Sequence, residues 1–166
     1  MKDDFRIGEI VVHKREGISK IVSISLMSEK EYFVLNASRG DGELIYVPIE
    51  MYSSVMRKLL TQNEADNLLN EMKSFEIVCI TNAKQRRDFY KKLLSSGDIK
   101  DISLLSYQYM AYENSYKHLE DPQMHLGALD IDMLKSAFSM FIDEMAIIYN
   151  KDEEAAIDFI RQKLQK

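Results

Sequence analysis

Lys84, Arg87 and Lys91 are the residues whose type and spacing come closest to a recognisable chemistry. On a helix opening near Asn82 they fall at i, i+3 and i+7 and share one edge. Phe89, Tyr90, Leu93 and Leu94 fill the neighbouring apolar arc, and Arg86 belongs to the same basic island. Three cations in line along a helix can straddle a phosphate backbone. The same pattern also suits a solvated helix face, and the residues alone leave both readings open. The island is local. Residues 75–100 carry a net charge of +3, residues 1–74 carry −2 and residues 101–166 carry −6, for −5 overall. Such a chain is not built to coat nucleic acid indiscriminately. A weak local phosphate contact is compatible with it when a partner supplies the remaining affinity.

No other constellation supports catalysis. Gly40-Asp41-Gly42 reads as a hairpin tip rather than a phosphate loop, and Arg39-Gly40-Asp41 matches an adhesion tripeptide by chance. No serine sits in a nucleophile elbow. Cys79 lies in an apolar run, where a buried, inert thiol is expected. His118 and His125 flank Glu120 and Asp121 in a helix break; a solvated loop is the expectation there rather than a metal site. His13 ends a strand and reads as structural. Asp152-Glu153-Glu154 opens a helix, where the dipole favours negative charge. The ten methionines scatter over apolar faces as core filling. The expectation is a non-enzymatic protein with no cofactor, no metal and no small-molecule substrate.

The elements that position these residues change character once along the chain. Four short β-rich runs are predicted over residues 9–14, 19–26, 32–36 and 43–47, with bends at Gly8 and Gly17 and polar turns at 28–30 and 38–42. Pro48 ends the last run. This predicts a small bent antiparallel sheet or half-barrel. Thr61 and Glu64 have capping-box spacing and open a helix to residue 73, with Leu68, Leu69 and Met72 on its apolar face. Residues 75–80 are a strand or an extended link. Asn82 caps the next helix and Gly97 stops it; another spans 99–118 until Glu120-Asp121-Pro122 breaks the pattern. Asp130 or Asp132 caps a helix to residue 149, and Asp152 caps the last, which is buried through Ala156, Phe159, Ile160 and Leu164. The fold class is therefore α+β, with a β module over 1–60 and a helical domain over 61–166. No apolar run approaches the roughly 20 residues of a membrane span. A single cysteine excludes an internal disulfide and a zinc cluster. Met1-Lys2-Asp3-Asp4 leads into a strand pattern rather than a signal-peptide core, so the expected location is cytoplasmic.

Taken in order, these stretches resemble the CarD family of bacterial transcription regulators, and the N-terminal part resembles the RNA-polymerase-interacting domain of the transcription-repair coupling factor. The residues that carry the resemblance are Phe5-x-x-Gly8-Glu9-x-Val11-Val12, Gly17-Ile18, Tyr32-Phe33-Val34-Leu35 and Tyr46-Val47-Pro48. Met56-Arg57-x-x-Leu60 and Glu64 follow, then Arg86-Arg87-x-x-Tyr90-x-x-x-Leu94-x-Ser96-Gly97-Asp98, then Leu134, Ala137, Glu144 and Ala146. The resemblance implies a Tudor-like, SH3-like β module that binds the polymerase β subunit. It also implies a helical domain that touches upstream promoter DNA and stabilises the promoter complex. Ser25, Met27, Leu44 and Tyr46 lie near the edge expected to bind polymerase; Lys84, Arg86, Arg87 and Lys91 are the expected DNA contacts. Three departures stand out. Lys14-Arg15-Glu16-Gly17 replaces a Pro-x-His-Gly turn, Ala83 stands where many members carry a DNA-wedging tryptophan, and Tyr46 replaces an arginine. The alternative is a protein-only adaptor of this descent that no longer binds DNA.

Overall fold

Apolar–polar alternation organises the first part of the chain. β1 (Ile10–His13), β2 (Gly17–Met27), β3 (Lys30–Ala37), β4 (Leu44–Pro48) and β5 (Met56–Lys58) pair antiparallel in the order β4-β3-β2-β1-β5. The computed structural model describes residues 4–116 and 125–165. The chain divides into an N-terminal unit, Met1–Leu59, and a helical unit, Leu60–Lys166. The α+β class with a helical C-terminal part is as expected. The sheet has one strand more than expected, because three residues are too few for β5 to show a period.

One sheet face carries the core. Phe33 and Leu35 of β3 stand opposite Val47 and Ile45 of β4, and opposite Ile24 and Ile21 of β2. They pack with Phe5, Val11 and Met56. The rings of Phe5, Phe33 and Tyr52 meet edge-on, with centroids 5.3 to 6.2 Å apart. A 3₁₀ turn (Ile49–Met51) and the single-turn α1 (Tyr52–Val55) carry the chain from β4 to β5. The register slips between Ile21 and Ser23, leaving Val22 as the extra residue of a bulge. Ser28 and Glu29 turn the β2–β3 hairpin with φ of 47° and 65°. Both positive angles match the strand twist, although neither residue is the usual Gly or Asn.

Caps define the helices of the second unit. Thr61 and Glu64 form the expected capping box on α2 (Gln62–Met72), which buries Ala65, Leu68, Leu69 and Met72. Residues 75–82 follow without regular structure. Their backbone is held by Gln108, which donates to the Val78 carbonyl at 2.9 Å and accepts from the Val78 N–H at 2.8 Å. Asn82 caps α3 (Ala83–Ser96), and Gly97 ends it in the left-handed region with φ 61°. Asp98 caps α4 (Ile99–Ala111), which passes into one π-helical stretch, Tyr112–Tyr116; the expected end at 118 lies outside the described residues. His118, Glu120, Asp121 and Pro122 lie outside the described residues.

The longest helix, α5 (Ala128–Ile148), begins earlier than either expected cap. Gly127 is its N-cap. Asp130 sits inside the first turn and accepts from the Gly127 N–H at 2.9 Å, while Asp132 lies further along the helix. Asp152 caps α6 (Glu153–Leu164) as expected. Tyr90, Leu105, Leu134, Phe141, Met145 and Ile160 are fully buried at the centre of this unit. The Tyr149 hydroxyl donates to Asp66 at 2.5 Å, tying α2 to the end of α5; burial, the hydrogen bond and the nearby carboxylate all push its phenol pKa up.

His13 has a structural role. It is buried at the end of β1, and its Nδ1 accepts the N–H groups of Arg15 at 3.3 Å and Glu16 at 3.2 Å. Burial draws its pKa below the ordinary 6.5, Arg15 adds to that effect, and Glu16 opposes it. The unfolded chain therefore binds more protons than the folded one once pH falls below 6.5, and stability declines with it. The N-terminal unit should be more stable at about pH 7.5 than at about pH 5. His13→Gln should flatten that part of the profile in urea titrations. An identical slope in the variant would rule out this assignment.

Candidate functional site: an open sheet face and a basic helix edge

The four expected polymerase contacts share one sheet face. β2 presents Ser23, Ser25 and Met27 alternately away from the core, and β4 presents Leu44 and Tyr46 on the same side. The register fixes this: Tyr46 stands opposite Val34, which stands opposite Ser23, while Pro48 and Ser25 both flank Tyr32. Among the described residues β4 pairs only with β3, so its other side is an open edge there. Leu44 and Tyr46 are 48% and 47% exposed on that edge strand. Ser25 is half-buried and Met27 exposed. At the hairpin tip Leu26 points to the opposite side beyond the core and is 71% exposed, a position not singled out from the sequence. Residues 44–48, Leu-Ile-Tyr-Val-Pro, carry no charge. An uncharged open strand offers N–H and C=O groups to an incoming strand, and its exposed side chains offer apolar contact.

The expected DNA contacts separate into two groups. Lys84, Arg87 and Lys91 are exposed along one edge of α3, and no ion pair holds them among the described residues. Arg86 must be removed from the set. It is 7% exposed, and its guanidinium is already committed. Nε and Nη2 donate to Asp130 Oδ2 at 3.0 and 2.8 Å, and Nη1 donates to the Ile80 and Thr81 carbonyls at 3.0 and 3.4 Å. The physical reason is helical phase. Arg86 lies four residues before the buried Tyr90, on the inner stripe of α3 rather than on the outer edge. The Tyr90 phenol is pushed up by burial, against a hydrogen bond with Gln108.

A groove of about 400 Å³ runs beside the exposed edge, between α3 and α5. Arg87, Asp88 and Lys91 line it from α3; Leu129, Asp132 and Met133 line it from α5. Leu129 is 63% exposed. It was missed because the sequence reading began this helix at residue 130 or 132. Cys79 is exposed rather than buried, because its connector runs along the surface instead of entering the core. His125 is exposed too. Among the described residues, no three of His, Cys, Asp or Glu are placed to hold a metal ion, and no helix is long and apolar enough to cross a membrane.

Residues 5–60 match the CarD-like/TRCF RID domain family. The N-terminal unit is a domain of this kind. No curated protein matches the chain. The RID domain supports a transcription-related protein that interacts with RNA polymerase. Its match covers the whole sheet and stops where the helical unit begins, so the helical unit is read from its own geometry.

Arg86 and its exposed neighbours should behave oppositely on substitution. Arg86→Ala leaves Asp130 buried without its cation and should destabilise the helical unit by about 3–5 kcal/mol. Lys84→Ala, Arg87→Ala and Lys91→Ala should each stay within about 0.5 kcal/mol of the parent. Urea denaturation of the four variants measures both. A mild Arg86→Ala would mean that the pair does not hold the unit together.

Proposed function

We propose that the chain is a non-enzymatic bacterial transcription regulator acting in the cytoplasm. Its RID domain docks on the β subunit of RNA polymerase, and its helical unit contacts upstream promoter DNA. The observation that carries the reading is the uncharged open strand β4 in a domain of polymerase-interacting type, with Leu44 and Tyr46 exposed and Ser25 and Met27 on the same face. Docking there proceeds by strand addition: backbone hydrogen bonds supply affinity, and the alternate side chains supply selectivity. Tyr46, standing where an arginine is common in the family, makes this contact more apolar.

The DNA half of the reading rests on the exposed edge of Lys84, Arg87 and Lys91. With a net charge of −5, the free chain binds duplex DNA weakly. Once polymerase holds it beside the promoter, effective concentration makes a few phosphate contacts sufficient, and they favour the promoter state that presents those phosphates. The protein-only adaptor keeps a specific observation in its favour: burial of Arg86 removes one of four expected cations, and the segment after residue 100 carries −6.

Two outcomes test the reading. Tyr46→Glu places a charge in the apolar contact and should weaken binding of the full chain to a purified β-subunit lobe by at least about tenfold, without loss of stability. Unchanged affinity would sink the docking assignment. Neutralising Lys84, Arg87 and Lys91 together should shorten the lifetime of polymerase–promoter complexes and flatten the log–log salt slope by about 0.9 per lost duplex phosphate contact. A triple variant matching the parent in lifetime and slope would leave the adaptor as the better account.

A further inference from the structure

β4 lacks the features that keep an edge strand from pairing with its own kind. Open strands are ordinarily guarded by lysines or other charges, and Leu44–Pro48 has none. The unit that carries the strand is neutral as a whole, with nine Lys and Arg and nine Asp and Glu in residues 1–59. Two copies therefore approach through this unit with no net repulsion. The first carboxylate after the strand, Glu50, is held by Lys30 at 2.9 Å. Backbone polar groups alternate in direction along a strand, so antiparallel self-pairing must set even-numbered residues opposite even and odd opposite odd. The register centred on Tyr46 meets this rule and pairs all five residues with one another: Tyr46 opposite Tyr46 of the second copy, Leu44 opposite Pro48, and Ile45 opposite Val47. Its flanks set Glu43 opposite Ile49 and Glu50 opposite Gly42, so no charge faces its like.

We propose that free chains self-associate through β4, two copies pairing antiparallel about a two-fold axis at Tyr46 and joining their sheets edge to edge. The self-pairing stands on the strand itself. Its consequence, that it hides the edge polymerase needs, rests on the docking reading above. The seam holds backbone hydrogen bonds and a Tyr46–Tyr46 cross-strand pair, with Leu44 and Pro48 on either side of it. Five residues span about 17 Å, a small contact beside the roughly 1,200 Å² that stable complexes bury. The dimer is therefore weak and depends on concentration. Tyr46 is the decisive residue. An arginine, common in the family at this position, would face itself across the axis, and like charges directly opposite destabilise a strand pair. Tyr46 removes that guard, and this chain gains a resting state that polymerase has to displace. A second copy and a polymerase strand would use the same backbone groups, so the two exclude each other.

Sedimentation of the full chain without polymerase, from about 5 to about 500 μM, should show a dimer that grows with concentration. Tyr46→Arg should weaken it at least about tenfold, because the two-fold axis sets the new charge against its own copy. Thermal stability should not change, since the position is half exposed on an edge strand. Disulfide crosslinking reads the register, in a Cys79→Ser background that removes the exposed native thiol. Tyr46→Cys should crosslink copy to copy, whereas Leu44→Cys should do so only when mixed with Pro48→Cys. Adding purified β-subunit lobe should dissolve the dimer. A chain that stays monomeric across the range, or a dimer that Tyr46→Arg leaves intact, overturns the self-pairing; docking, measured separately at chain concentrations well below the dimer's Kd, would still stand or fall on its own. A dimer that depends on Tyr46 but binds the lobe without dissolving would overturn the occlusion and move polymerase docking off β4.

Discussion

The buried ion pair between Arg86 and Asp130 is the constraint on which the helical unit's functional surface depends. One carboxylate oxygen, Asp130 Oδ2, takes three donors: two from Arg86 and the Gly127 N–H. The remaining guanidinium nitrogen reaches the Ile80 and Thr81 carbonyls. Four parts of the chain therefore meet at one pair of side chains: the connector before α3, α3 itself, the residue that caps α5, and the first turn of α5. The side chains are 8% and 2% exposed, so the desolvation penalty is large, and only this density of hydrogen bonds offsets it. Among the described residues the other carboxylate oxygen, Oδ1, is buried with no hydrogen-bond partner. A pair of this kind adds little net stability over an apolar replacement, but it fixes one arrangement. Here it sets the phase of α3, which turns Lys84, Arg87 and Lys91 outward. It also sets the start of α5, which brings Leu129 and Asp132 to the groove.

The Gln108 amide solves the next problem. Residues 75–82 have no ladder or helix of their own, and a backbone that is partly buried must place its polar groups somewhere. Gln108 on α4 satisfies both groups of Val78, as a neighbouring strand would. Two carbonyls further along go to Arg86. The connector is thus extended because side chains pair with it, and so the sequence alone left strand and link undecided there.

What was legible followed from local physics. The capping residues Thr61, Asn82 and Asp152 each bond the backbone within three residues, and Gly97 takes a conformation that side chains resist. Ser25, Met27, Leu44 and Tyr46 were expected near one edge; that they share one sheet face comes from the register, which the sequence does not print. What was not legible depends on distant partners. Arg86 pairs with a residue 44 positions away, and inside a basic island it looked like its neighbours. A signal was present: Arg86 precedes Tyr90 by one turn and so shares the apolar arc. A long cation on an inner stripe requires a buried acid, and the acid was being read as a cap. That same misreading of Asp130 hid Leu129, since a residue before the supposed cap has no helical face. The bulge at Val22 and the mirror-image geometry of the Ser28–Glu29 turn, whose position was legible, escaped for a related reason: a bulge, and positive φ without Gly, leave no compositional mark.

The two units meet opposite design problems with the same economy of charge. An open strand ordinarily carries lysines or other charges that discourage wrong pairing. β4 carries none, and Pro48 at one end removes a donor. Such a strand is tolerable where a partner covers it, and its neutrality keeps the energetic gain of pairing free of any desolvated charge. In the helical unit charge is present but apportioned: one arginine of the island is spent inside, two of the exposed cations are balanced by Asp88 and Asp132 in the groove, and Lys84 has no such counterweight. A surface of this kind attracts phosphate too weakly to act alone. On the proposed reading, the remaining affinity comes from the polymerase contact.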